Sequence, residues 1–470
     1  MRESLRSHFN SFAARRDKFR KRGRYFHAEL ESYLKFIIPS NKEVLEIGSG
    51  TGETLAALNP KTGVGIDISE EMVRIASEKF KEKKHLIFNV DNGENPAIDK
   101  VFDIIYMQNT IGYFSDIQEA LSNIEKNLKS DGRLVITYFN FLWKPLLLLA
   151  EKLGLRMPGR EKHWLPISDI INLLNLSGFE VVKEENRTII PFYIPIMSFL
   201  FNKILVQLPI FKSLAISTIV VARKKQRRKQ GHASVSVVIP CRNEKGNIES
   251  AIQRLPKMGS HTEIIYVEGN SSDGTYDECV RVQNKYTEMD IKVFQQDGKG
   301  KGDAVRKGFD KATGDILMIL DADLTVPPED LPKFYGAIIS NKGDFVNGSR
   351  LVYNMESEAM RPLNLLGNKF FSIAFTFLLS QRLRDTLCGT KVIWKKDYQN
   401  LINQRSYFGD FDPFGDFDLL FGASKLNLKI VEVPIRYRNR EYGETQISRF
   451  SHGWLLLKMT FFAMRKIKFI

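Results

Sequence analysis

Cysteine is nearly absent: 470 residues hold three, Cys241, Cys279 and Cys388. They lie far apart with no paired spacing, which excludes a disulfide framework and a zinc site and fits a reducing compartment. Also missing is an uninterrupted apolar run of the roughly 20 residues that a membrane span needs. The longest candidates, Phe139 to Leu155 and Ile189 to Phe211, are broken by Lys144, Pro145, Glu151 and Lys152 and by Pro191, Pro195, Lys203 and Pro209. They read as core, as a lid over an apolar substrate, or as a hairpin at a lipid interface. The amino terminus runs from Met1-Arg2-Glu3-Ser4 into polar, basic sequence without the apolar core of an export signal, so no secretory leader is expected. Acid is too scarce to balance base. With 69 Lys and Arg against 55 Asp and Glu the formal net charge is +14, which favours anionic partners. No RNA-binding motif or basic-aromatic stripe accompanies that charge, so nucleic acid is not an expected partner.

Of what is present, one stretch stands out: Leu317-Met318-Ile319-Leu320-Asp321-Ala322-Asp323, an apolar run that delivers two carboxylates at its end. Residues two apart on an extended strand share a face, and Mg²⁺ or Mn²⁺ takes one or two carboxylates together with substrate phosphates. An isolated Asp-x-Asp more often only ends a strand in a turn. Here it follows two further apolar strands that open into polar loops, Ser236 to Glu244 and Glu263 to Thr275, and a basic glycine loop, Gly298-Lys299-Gly300-Lys301-Gly302, that leads into a helix. Asn347-Gly348-Ser349-Arg350, Asp385 to Lys391 and Phe414-Gly415-Asp416-Phe417-Asp418 come after it.

Over roughly residues 234 to 450 this order resembles the family 2 glycosyltransferases of GT-A fold, especially the polyprenyl-phosphate (dolichyl-phosphate) mannose and glucose synthases. The resemblance implies a nucleotide-diphosphate sugar held by Pro240, Arg242, Glu244, Glu268, Asp273, Lys301, Asp321 and Ala322, with Asp321 and Asp323 on the metal. It also implies that Arg350 and Arg361 grip an acceptor phosphate, for which planar guanidinium forks are suited; the plainer reading pairs them with Glu356 or Glu358. A hydroxyl acceptor would need a general base, Asp416 first and Asp418 second, whereas a phosphate acceptor is already anionic. Two departures stand out. The family commonly has two acids where this chain has Glu268-Gly269, and Thr325 stands where some relatives have an amide ligand.

Upstream, Glu43 to Ile47 is a strand followed by Gly48-Ser49-Gly50-Thr51-Gly52 and a helix beginning near Glu53. Glycines let a backbone approach a ligand closely. A dinucleotide fingerprint needs a different gap; the Glu-x-Gly-x-Gly-x-Gly spacing resembles class I S-adenosylmethionine-dependent methyltransferases over about residues 5 to 224. That resemblance implies Glu46, Gly48, Ser49, Gly50 and Gly52 beside the methionine moiety, Asp67 on the ribose, Met72, Asp91 and Asn92 around adenine, and Asn109 at the methyl-transfer cleft. The basic run Arg15 to Arg24 is assigned no chemistry.

The expectation is therefore an α/β chain of two Rossmann-like domains: a seven-stranded methyltransferase domain at 1–223, a basic linker at 224–233, and a GT-A domain at 234–470 ending in an amphipathic helix from Trp454. It would be a bifunctional transferase using S-adenosylmethionine and Mg²⁺ or Mn²⁺, with a lipid-phosphate or glycolipid acceptor. Its expected place is cytoplasmic, peripheral at an anionic inner membrane face. Alternatives are a nucleotide-sugar-binding module without turnover, or glycosyl transfer to a hydroxyl.

Overall fold

The computed structural model describes residues 2–225, 232–353, 362–404, 407, 416–438, 440, 442 and 449–470. Contacts divide the chain into two compact units, residues 1–227 with 468–470, and residues 228–467. Outside the described residues fall most of the linker, Glu356 and Glu358, Arg361, the side chain of Asp416, and the segment from Gly443 to Ser448.

In the first unit, two long helices, α1 (Arg2–Arg22) and α2 (Arg24–Ile37), precede strands β1 (Glu43–Ile47), β2 (Thr62–Asp67), β3 (Leu86–Val90), β4 (Phe102–Gln108), β5 (Leu128–Phe139), β6 (Phe179–Arg187) and β7 (Ser217–Lys224). They form one sheet of order β3-β2-β1-β4-β5-β7-β6, parallel except for β7, which runs antiparallel to both neighbours. The strands at its centre carry almost unbroken apolar runs, as burial on both faces demands: Leu45, Ile47, Ile105 and Met107 are fully enclosed. Helix α3 (Glu53–Leu58) follows β1, and α4 (Glu70–Lys79) follows β2 with Ser69 as its N-cap, the side chain accepting from Met72 N at 3.2 Å. A side-chain oxygen at that position satisfies one of the helix's free donors. Helix α1 is pinned to α4 by Asn10, which accepts from Ser69 Oγ (2.6 Å), and by the Asp17–Lys79 pair (2.7 Å).

The second unit holds β8 (Val235–Cys241), β9 (Thr262–Glu268), β10 (Asp290–Gln295), β11 (Ile316–Ile319), β12 (Phe345–Ser349), β13 (Lys391–Trp394) and β14 (Ile430–Pro434), in the order β10-β9-β8-β11-β13-β12-β14. Strands β8 to β11 pair in parallel, and β13 inserts antiparallel between β11 and β12. Cys241 and Cys279, 38 residues apart, meet with their sulfurs 3.9 Å apart in this core. Among the described residues no helix is long and apolar enough to cross a membrane.

Candidate active sites

The order β2-β1-β4 reverses chain direction of growth at β1 and β4, and open α/β sheets bind ligands in the crevice outside the strand carboxyl ends at such a point. A cavity of about 510 Å³ lies there. Its floor is the loop after β1. Gly48, Gly50 and Gly52 hold φ of +77°, +52° and +79°, values that a side chain disfavours. A Cβ on Gly48 would collide with Thr110 and one on Gly52 with Phe88. Gly48 N and Ser49 N donate to Ile66 O at 2.8 and 3.0 Å, and the Asp67 carboxylate accepts from Gly50 N (2.8 Å) and Ser69 N (2.9 Å). Loop and β2 are thereby fixed as one surface.

Glu46, Gly48, Ser49, Gly50, Asp67, Met72, Asn92 and Asn109 all reach the cavity wall. Ser49 Oγ is buried without a partner, an orphaned polar atom of the kind a ligand satisfies. Gly52 begins α3 as its left-handed N-cap. Asp91 is engaged by Asn92 N (2.7 Å) and Ala97 N (2.9 Å), so it shapes the turn that presents Asn92. Burial pushes the Glu46 carboxyl up to about 8 against the pull of Arg20 and the Leu55 N–H. Burial also raises Asp67, although the Ser69 and Gly50 N–H groups oppose it.

Two parts of the wall, from α1 and from α2, were not foreseen from sequence. Helix α1 contributes Leu5, Phe9, Arg16, Phe19 and Arg20, so the basic run left without chemistry borders the cavity. The signal was there, because Leu5, Phe9, Arg16 and Arg20 are spaced by four or seven positions, with Phe19 three after Arg16, and so share one helix face. Arg16 lies over the floor, its Nε 3.4 Å from where a Gly50 Cβ would stand. His27 joins from α2, and burial with Arg20 and Arg16 lowers its imidazole to about 3, keeping it neutral. The two broken apolar stretches supply the mouth, through Phe139, Trp143, Leu146, Leu147, Pro191 and Phe192.

In the second unit the paired carboxylates sit differently from the expected extended strand. Strand β11 ends at Ile319, and Asp321 to Leu324 form a turn in which Asp321 O accepts from Leu324 N at 3.2 Å and Leu324 takes φ +53°. The two acids are therefore placed by that turn, not by strand alternation. Lys301 pairs with Asp321 at 2.6 Å. Burial pushes the Asp321 carboxyl up, but Lys301, with Lys391 and Arg350 beyond, holds it below its usual range. Asp323 accepts from Thr325 Oγ1 (2.8 Å) and Arg440 Nη2 (2.7 Å), and Arg440 Nη1 is 3.3 Å from Glu244. Arg440 thus joins the first strand loop to the carboxylate turn, a role not foreseen from sequence. Burial raises Glu244 to about 7 despite Arg440 and Asn247.

Gly389 completes the crowding, since a Cβ there would meet both Asp321 and Lys301. Two carboxylate groups with no further His, Cys, Asp or Glu cluster among the described residues suit a hard divalent ion that takes its other oxygens from water and diphosphate. Pro240 and Arg242 flank Cys241 at the end of β8, and Ala322 is buried between the two acids. Glu268 accepts from Ser271 N, and Asp273 accepts from Lys245 N (3.2 Å) and Thr275 N (3.0 Å), so both organise the loop after β9. Arg350 does not present a free fork: Nε and Nη2 bind the two Asp385 oxygens at 2.7 and 2.8 Å, with Tyr437 against the guanidinium at 5.1 Å. Asp418 lies 3.9 Å from Arg306.

Residues 19–184 match the family model described as a methyltransferase domain, and residues 236–401 match the model of glycosyl transferase family 2. The chain is 38% identical over 220 residues to the dolichol-phosphate mannosyltransferase of Pyrococcus furiosus, which covers 45% of this chain and 59% of that protein. It is 29% identical over 222 residues to a low-salt glycan biosynthesis hexosyltransferase of Haloferax volcanii, covering 47% and 51%. The chain thus spans between half and three-fifths of these relatives' own length. Among solved structures, the magnesium protoporphyrin IX methyltransferase of Synechocystis is 19% identical, covering 48% of this chain and all of that one, with a TM-score of 0.36. The chain unites a methyltransferase domain with a glycosyl transferase family 2 domain.

Proposed function

We propose that the chain is a bifunctional transferase in which the first domain moves a methyl group and the second moves a sugar from a nucleotide diphosphate to a lipid-borne phosphate. The observation that carries this reading is the pairing of one glycine-floored cavity, bounded by Asp67, with one carboxylate turn bounded by Lys301 and Arg440.

In the first domain, S-adenosylmethionine would supply an electrophilic methyl. Asp67 would accept from two ribose hydroxyls, Met72 and Asn92 would border the adenine, and Arg16, over the floor, would supply a cation for the cofactor carboxylate. Asn109, held at φ +53° by its N–H bond to Thr137 O (2.7 Å), faces the place where the acceptor arrives.

In the second domain, Asp321 and Asp323 would hold a divalent ion, whose charge stabilises a departing diphosphate. Lys301 and Arg440 bring N–H donors and positive charge to the same place. Glu268, Asp273 and the ends of β8 and β9 shape the nucleotide pocket. The acceptor phosphate would meet Arg361 and the region ordered by the Arg350–Asp385 pair; being anionic, it needs no base. A hydroxyl acceptor would instead call on Asp416 or Asp418. Two apolar helices support work at a membrane surface: Pro362–Leu379, with Phe370 and Ile373 exposed, and Arg449–Ile467, with Trp454 and Phe461 exposed. Incubation with a panel of nucleotide-diphosphate sugars and a short-chain polyprenyl phosphate in detergent tests the reading. Glycosylation of a soluble hydroxyl while polyprenyl phosphate is ignored would replace it.

A further inference from the structure

The rim of the amino-terminal cavity is built inside out. Residues 189–214 contain no Asp or Glu, and their two fully buried polar side chains, Ser198 and Asn202, turn inward onto the segment's own backbone. Asn202 Oδ1 accepts from Ile189 N (2.7 Å) and Ile190 N (2.8 Å), and its Nδ2 donates to Ile190 O (2.8 Å). Ser198 Oγ accepts from Ile194 N (2.7 Å) and donates to Phe192 O (2.8 Å). Ser198 and Asn202 are 1% and 2% exposed, whereas Ile196 and Ile210 are 84% and 80% exposed. Ile196 is held at φ +65°, a region that a β-branched residue avoids. Irregular backbone whose polar groups are satisfied from within, under an apolar exterior, is the arrangement a non-aqueous phase requires.

A second segment extends the same surface. The helix Lys144–Lys152 exposes Leu146, Leu148 and Leu149, and Leu153 follows it at 64% exposure. Asn140 Nδ2 donates to Ser213 O (2.7 Å) and Trp143 Nε1 to Leu214 O (2.9 Å), which fastens the two segments at their base. Contiguous apolar surface of this kind marks a docking face. Its charges say for what: Lys144 and Lys152 are exposed, while Glu151, the one acid between 140 and 155, is engaged by Arg156. Cations and interfacial aromatics such as Trp143 and Tyr193 around an apolar face suit an anionic lipid surface.

We infer that this rim rests on an anionic lipid surface and opens the methyltransferase cavity to it, so that the methyl acceptor carries an apolar chain and enters from the lipid. The inference rests on the methyl-transfer reading above, and S-adenosylmethionine binding measured on the same samples separates failure of the one from failure of the other. The native cysteines are all buried, so Ile196→Cys in the full chain places an environment-sensitive fluorophore at one site; Ile210→Cys serves equally if the first variant does not fold. Vesicles of phosphatidylcholine with phosphatidylglycerol should shift its emission to the blue. The variant Leu153→Ser/Ile196→Ser/Ile210→Ser leaves the cavity wall untouched. It should keep cofactor affinity while its partition to the same vesicles falls about tenfold or more, as binding scales with buried apolar area. An unshifted emission while protein pellets with vesicles would put another face on the lipid and overturn the inference. So would equal partition of the triple variant, absence of vesicle binding, or a methyl label recovered only in water-soluble product from a membrane-lipid extract.

Discussion

Asp67 is the residue on which the cofactor reading turns. Its two oxygens already fix Gly50 N and Ser69 N, and its side chain belongs to the cavity lining. A hydrogen bond to a charged group contributes about 1.5–3 kcal/mol, so Asp67→Asn should weaken S-adenosylmethionine by on the order of 10- to 100-fold in calorimetry. Equal affinity would remove Asp67 from the ribose. Glu46 makes a different prediction, about pH. Burial sets its folded value near 8, above the ordinary 4.5, so the folded state holds a proton that the unfolded chain releases between those values. The contribution to stability is full below pH 4.5, declines as pH rises to about 8 and is flat beyond. Glu46→Gln should therefore melt with the wild type at pH 4.5 and above it at pH 8.5, by on the order of 4 kcal/mol. Parallel melting curves at both values would show that Glu46 titrates as an exposed acid.

At the scale of elements, the strand-loop-helix units were legible because each apolar run ends in a residue with chemical capacity: Ile47 into Gly48, Ile66 into Asp67, Leu320 into Asp321. What was not legible depends on packing between segments distant in sequence. Strand β13 reads as a short run after Thr390, yet it inserts between β11 and β12 because its Val392 and Ile393 complete the core. Arg440 lies 117 residues from Asp323, and nothing local announces their meeting. The same applies to Arg350, whose partner among the described residues is the buried Asp385, 35 residues away. Breaking a buried pair by removing one member costs about 3–5 kcal/mol, so Asp385→Ala should lower stability by that amount in denaturant unfolding. A loss below about 1 kcal/mol would mean that the pair is solvated. For the carboxylate turn, Asp323→Ala should remove several kcal/mol of transition-state stabilisation from sugar transfer while far-ultraviolet dichroism is kept. Full transfer in excess chelator would show that the turn holds no metal.

On the scale of the whole molecule, two seven-stranded units with separate cores stand in one chain, each with its own site at strand carboxyl ends. The basic balance of the composition is distributed over both: Arg16 and Arg20 border the first site, Lys301 and Arg440 the second. The most direct test of the central claim is mass spectrometry of membrane-lipid extract incubated with the purified full chain, a nucleotide-diphosphate sugar panel, Mg²⁺ or Mn²⁺, and S-adenosylmethionine present or absent. The account predicts a lipid-phosphate product heavier by one hexose that requires the metal, and a second, methylated species that requires S-adenosylmethionine. An extract with neither mass change, alongside full activity on a soluble hydroxyl acceptor or none on any acceptor, would contradict it.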